Sequence, residues 1–230
     1  INIKEELIML SFFVTKSSDG ESWILQPGGY LVFIALFLIL IVIASLFRKK
    51  KSNHFETKPM VFSAVSIALA TVTSMITILK MPYGGSVTLL SMMFITLVGY
   101  WYGLSIGLTT AVAYGILQLI LDPYILSIPQ MLFDYIFAFG ALGLSGLFTN
   151  QKHGLIIGYW VGILGRYLFS TLSGCIFFAT YAPEGLNPVL YSLLYNGAYM
   201  GTEAVLTSIV MLLPPVQHSF RMIKKMALSS

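Results

Sequence analysis

The stretch LIIGYWVGILGRYLFSTLSGCIFFAT, residues 155–180, carries a single charged side chain, Arg166, and exceeds the roughly 20 apolar residues that a membrane-spanning helix needs. In hydrocarbon every backbone donor and acceptor must be satisfied inside the segment, so a run of this length is a helix and not a strand. Six further stretches read the same way: residues 30–47, 60–79, 87–101, 103–121, 130–148 and 189–213, of which 87–101 is short. Hydrophobic residues make up 57% of the chain and charged residues 10%. An ordinary soluble domain is about 25% charged, so a soluble reading is excluded. The chain is predicted to be an all-α integral membrane protein.

The basic residues orient it. Arg48, Lys49, Lys50, Lys51 and Lys58 lie between the first and second stretches, Lys152 between the fifth and sixth, and Arg221, Lys224 and Lys225 after the last. With seven spans these segments share one side, and short loops rich in Lys and Arg stay cytoplasmic. The other side collects Glu5, Glu6, Asp19, Glu21, Asp122 and Glu184. The N-terminus is therefore expected outside and the C-terminus in the cytoplasm. The formal charge of +4 reflects this bias and gives no reason to expect a nucleic-acid partner. The first 29 residues lack a basic leader, and four basic residues follow the first apolar run, which reads as an anchor and not as a cleaved signal.

Several chemistries drop out. The chain has no G-x-x-x-x-G-K-[ST] loop to cradle a nucleotide phosphate. His54, His153 and His218 all fall in segments expected at the cytoplasmic face, away from a membrane-embedded site, and Cys175 is the only cysteine. No catalytic triad, metal set or cofactor is expected. Small residues recur at four-residue spacing: Gly103 with Gly107, Gly154 with Gly158 and Gly162, and Ala64 with Ala68. Such faces let helices approach closely, either within the bundle or against another membrane subunit.

Polar residues inside the spans carry the functional signal, because each is expensive unless it pairs or lines a cavity. Asp134 falls near the outer end of the fifth stretch, Arg166 midway along the sixth, and Glu203 deep in the seventh. Arg166 is expected to ion-pair with Asp134 or Glu203, with snorkelling to the interface and ligand contact as the other readings. The outer halves of the last two stretches gather Ser170, Ser173, Phe177, Phe178, Tyr181, Tyr191, Tyr195 and Asn196. A buried amide needs partners, and aromatic walls with a few convergent polar groups describe a small-molecule pocket open to the outside.

Four ordered motifs then resemble one family: KMPYGGSVTLLSMM (80–93), QMLFDYIFAFG (130–140), SGCIFF (173–178) and YSLLYN (191–196). They are similar to the thiamine-specific substrate-binding subunits, or S-components, of energy-coupling factor (ECF) vitamin transporters, over about residues 60–213. The resemblance implies a six-helix S-component-like bundle, here with one extra N-terminal transmembrane helix. Residues 1–29 would be an extracellular segment, 30–58 the extra helix with a basic cytoplasmic linker, and 59–230 the substrate-binding membrane domain. It implies capture of thiamine or a close relative from outside the bacterial plasma membrane. The partners implied are a transmembrane coupling subunit, two cytoplasmic ATPase subunits and the surrounding membrane lipid.

The family's ligand residues carry over to Tyr124, Asp134, Tyr135, Ser170, Gly174, Phe178, Tyr191 and Asn196, with Tyr83 in a lid loop and Ala64 and Ala68 as the docking motif. Three positions depart from the family: Asp134 replaces a glutamate, Ser170 a histidine and Phe178 a tryptophan. These changes also suit a different vitamin or a pyrimidine- or nucleobase-like ligand. A membrane assembly protein without a transport role is the reading from another class.

Overall fold

Helices begin and end where the sequence changes character. The computed structural model describes residues 14–16, 23–25, 57–81 and 85–229. The expected extra helix at 30–47 and Tyr83 lie outside the described residues. Two three-residue strands, β1 (Val14–Lys16) and β2 (Trp23–Leu25), pair antiparallel in the N-terminal segment.

From there six helices build the bundle. They are α1 (Thr57–Met75), α2 (Ser91–Tyr102), α3 (Leu104–Leu121), α4 (Ile128–Phe148), α5 (Gly154–Phe177) and α6 (Pro188–Leu212). All six helices expected in this region are present. Four of them, α1, α3, α4 and α5, are long and apolar enough to cross a bilayer alone. A fifth crossing is available if α6 and the helix after it count as one bent span. The 12 residues of α2 rise only about 18 Å, short of the ~30 Å hydrocarbon core.

Two segments differ from expectation. Residues 76–79 do not extend α1. Strand β3 (Thr77–Lys80) pairs antiparallel with β4 (Ser86–Thr88), so α2 starts at Ser91 instead of 87. Ile76, Ile78, Leu79 and Val87 are as apolar as a helix end, but β-branched residues favour strands. At the other end α7 (Pro214–Leu228) is an amphipathic helix that leaves α6 at an 81° bend. Two prolines at its start cannot continue the α6 hydrogen-bond ladder.

Close helix approach fixes the core. A Cβ on Gly107 would lie 2.7 Å from the Gly99 Cα and 2.9 Å from the Gly143 carbonyl. One on Gly158 would lie 3.0 Å from Ser145, and one on Gly162 3.1 Å from Leu142. The expected glycine faces of α3 and α5 thus pack inside the bundle, against α2 and α4. Gly103, with φ +88, makes the sharp turn between α2 and α3. Buried Met92, Ile95, Tyr114, Leu142 and Tyr159 fill the centre. Val61, Val65, Leu69 and Val72 of α1 face outward, as lipid-facing or partner-facing side chains do.

Candidate functional site

A cavity of about 700 Å³ opens at the loop end of the bundle, within the range of small-molecule sites. On α5 it runs from Phe178 back to Arg166, and on α6 from Tyr191 to Glu203. Each interval is 12 residues, or about 18 Å of helix. The pocket therefore reaches from the surface to the middle of the bundle.

All eight residues assigned to the ligand from sequence line this one cavity: Tyr124, Asp134, Tyr135, Ser170, Gly174, Phe178, Tyr191 and Asn196. Four chain segments converge to bring them there. Asp134 sits in a π-helical stretch, Leu132–Phe137, where the Ala138 N–H bonds to the Phe133 carbonyl five residues back. Such a local widening breaks the 3.6-residue register and re-aims side chains. It also lets the Tyr135 carbonyl press against α3 at Gly115, where a Cβ would collide with that oxygen.

The acid is held by a residue that sequence reasoning missed. The Gln130 amide donates 2.6 Å to Asp134 Oδ2 and 3.0 Å to the Tyr124 carbonyl, while its oxygen accepts from the Leu126 N–H at 3.0 Å. Gln130 is 1% exposed, so these bonds are made without competing water. Its signal was present: Ser127 followed three residues later by Gln130 is a capping-box pattern, and the Gln130 N–H does bond to Ser127 Oγ. Tyr135 completes the clamp, its hydroxyl donating to the Asp122 carbonyl at 2.9 Å and accepting from the Tyr124 N–H at 2.8 Å.

The outer wall is aromatic. Tyr124 stacks on Phe178 at 5.9 Å and 21°, and Phe178 packs on Tyr181 at 5.6 Å. Across the cavity Tyr191, Tyr195 and Tyr199 form a ladder on one face of α6, with centroids 5.8 and 5.7 Å apart. Asn196 is buried among polar partners: Nδ2 donates to the Ser192 carbonyl at 3.0 Å and Oδ1 accepts from the Tyr199 hydroxyl at 3.0 Å. Gly174 lets α6 approach, since a Cβ there would strike Ser192 Oγ.

The β3–β4 hairpin closes one side. Lys80, Met81, Gly85, Ser86 and Thr88 line the cavity, and the Gly85 N–H donates to the Tyr195 hydroxyl at 2.9 Å. Tyr83 lies between these strands but outside the described residues. Ala64 and Ala68 are exposed on α1, whereas only Ser74 and Met75 of that helix reach the cavity.

The expected ion pair of Arg166 does not form. Asp134 bonds to Gln130, and Glu203 accepts from the Thr88 N–H at 3.0 Å, the Thr88 hydroxyl at 2.7 Å and Ser91 Oγ at 3.1 Å. The Arg166 guanidinium lies over the Phe139 ring at 4.0 Å, and its Nε is buried without a hydrogen-bond partner. The short polar groups of β4 reach Glu203 first, so the cation remains at the inner end of the cavity. Among the described residues no cluster of His, Cys, Asp or Glu could hold a metal ion.

Comparison with known proteins places the chain in a family. Residues 60–223 match the family model described as "Thiamine transporter protein (Thia_YuaJ)". A relative named thiamine transporter ThiT, from Bacillus subtilis (strain 168), is 35% identical over 167 residues, covering 66% of this chain and 85% of that protein. The ThiT of Lacticaseibacillus paracasei is 32% identical over 114 residues, covering 42% of this chain and 57% of its own. Among solved structures, ThiT from Listeria monocytogenes superposes with a TM-score of 0.57 at 24% identity. That match covers 66% of this chain and 90% of the other, a likeness of fold.

Proposed function

Because this chain belongs to the thiamine transporter protein family, we propose that it captures thiamine in the cavity around Asp134 as the substrate-binding membrane subunit of an ECF transporter. The observation that carries this reading is a carboxylate fixed by a buried amide inside an aromatic-walled cavity that opens at one end of the bundle.

Thiamine offers an aminopyrimidine with hydrogen-bond donors and a thiazolium with a permanent positive charge. The Asp134 carboxylate accepts from the amine, and an ionised acceptor roughly doubles the strength of such a bond. Arg166 at the inner end repels the thiazolium, which therefore points outward to the faces of Tyr124 and Phe178, where a cation is attracted. Aspartate for glutamate shortens the reach by one methylene, and the π-helical turn under Asp134 sets where that shorter side chain ends. The β3–β4 hairpin, tied to α6 through Tyr195 and Glu203, covers the bound ligand.

With no nucleotide-binding loop of its own, the chain relies on partner subunits for energy: a transmembrane coupling subunit docking on the Ala64 and Ala68 face, and two cytoplasmic ATPases. The cavity faces outward and the basic end faces the cytoplasm of a bacterial plasma membrane. The test is a titration of the purified protein with thiamine, followed by tyrosine fluorescence. A saturable one-to-one signal supports the reading, and no signal at micromolar protein overturns it.

A further inference from the structure

At the end of the bundle opposite the ligand cavity, α7 folds back under α6 and encloses a second cavity of about 300 Å³. The helices agree on this placement. The lining residues of α5 change from Arg166–Phe178 in the first cavity to Leu155 and Ile156 in the second, and those of α6 from 191–203 to Met211 and Leu212. The interval from Ile156 to Gly174 is about 27 Å of helix, close to a bilayer's hydrocarbon thickness.

This second cavity has two chemistries. Its wall is apolar, from Leu155, Ile156, Met211, Leu212 and Phe220, and its mouth carries Arg221, Lys224 and His153. Lys224 is fixed, with Nζ 4.1 Å above the Tyr100 ring and 3.5 Å from the Thr149 carbonyl. Helix α7 is anchored by Phe220, Ile223 and Ala227 packed inward and by the Tyr102 hydroxyl donating to the Ala227 carbonyl at 3.1 Å. Met222 and Met226 on its outer side are 55% and 58% exposed.

The charge at this end is unbalanced. Lys58 bonds to Ser229 at the end of α7, which places it here with Lys152, Arg221, Lys224 and Lys225. The carboxylates among the described residues are Asp122, Asp134, Glu184 and Glu203, and all lie in the ligand cavity or the loops around it. Five cations therefore face this side with no acidic partner among the described residues. A basic mouth over an apolar slot, at the depth of a membrane surface, matches an anion that carries hydrocarbon chains.

We propose that this cavity is a binding site for an anionic phospholipid, whose phosphate meets Arg221 and Lys224 while an acyl chain lies against Leu155, Ile156 and Phe220. The proposal rests on the chain spanning a membrane and is independent of the ligand in the first cavity. A bound lipid would brace α7 and hold the bend after α6.

The test is native mass spectrometry of the purified full chain, titrated with phosphatidylglycerol, with phosphatidylcholine of the same acyl chains and with inorganic phosphate. Phosphatidylglycerol should be retained at least about tenfold better than phosphatidylcholine. Arg221→Gln with Lys224→Gln should abolish that preference, whereas Lys58→Gln with Lys225→Gln, outside the cavity, should keep it. Thiamine titration of the same samples reports folding and should be unchanged. Equal retention of the two lipids, or a preference that survives the Arg221 and Lys224 changes, would overturn the site. Displacement of phosphatidylglycerol by millimolar phosphate would make it a soluble-anion site and also overturn the lipid assignment. Loss of thiamine binding in the unmodified protein, with the lipid preference intact, would count against the thiamine reading alone.

Discussion

The Gln130 amide donates to the Asp134 carboxylate across 2.6 Å, one helical turn away, and its other two bonds hold the backbone of Tyr124 and Leu126. One buried side chain thus sets both the acid and the aromatic wall. Gln130→Met keeps the volume and removes all three bonds, leaving the Leu126 N–H and the Tyr124 carbonyl unsatisfied. Each such loss is worth about 1–3 kcal/mol. Thiamine affinity by calorimetry should fall by about one to two decades, with a lower melting temperature. Unchanged affinity would remove Gln130 from the positioning of the site.

Asn196 and Tyr191 test the opposite wall. Asn196→Ala takes the acceptor from the Tyr199 hydroxyl and opens the polar floor of the cavity, at an expected loss of about 1–3 kcal/mol in ligand binding. Tyr191→Phe removes one hydroxyl and should weaken binding less. Wild-type affinity in both variants would place the ligand elsewhere.

Glu203 separates an acid that holds structure from one that holds ligand. It accepts from three donors on β4 and α2, so Glu203→Gln replaces charge-assisted bonds with neutral ones and reverses the bond to the Ser91 hydroxyl. Thermal unfolding in detergent should show a loss of about 1–3 kcal/mol. Thiamine affinity should change less than in Asp134→Asn. The reverse order would make Glu203 the ligand carboxylate.

How much of this was legible follows from the physics of each part. The six helices and the convergence of Asp134, Tyr191 and Asn196 could be read because long apolar runs leave no alternative and intramembrane polar groups are rare. The β3–β4 hairpin could not, since Ile78, Leu79 and Val87 look alike in a helix end and a strand. Helix α7 was hidden by its own amphipathicity: Arg221, Lys224 and Lys225 read as a charged tail until Phe220 and Ile223 are seen packed inward. The missing Arg166 ion pair was a question of distance. Which hydroxyls reach Glu203 depends on where β4 lies, and spacing along the chain does not encode that.

Ala64 and Ala68 are exposed on α1, and among the described residues no side chain packs on them to explain their small size. Ala64→Leu or Ala68→Leu should reduce co-purification with the coupling subunit and reduce uptake, while thiamine affinity of the isolated chain stays within about twofold. Normal assembly of both bulky variants would move the docking surface off this face.

The central claim is that the Asp134 carboxylate holds the aminopyrimidine of thiamine. Calorimetric titration of wild type and Asp134→Asn with thiamine tests it most directly, because the substitution keeps size and removes charge. Wild type should bind one thiamine per chain, and Asp134→Asn should bind it at least about tenfold more weakly, since a hydrogen bond to a charged group is worth about 1.5–3 kcal/mol. Equal affinity in the two proteins, or no thiamine binding by wild type at micromolar concentration, would contradict it.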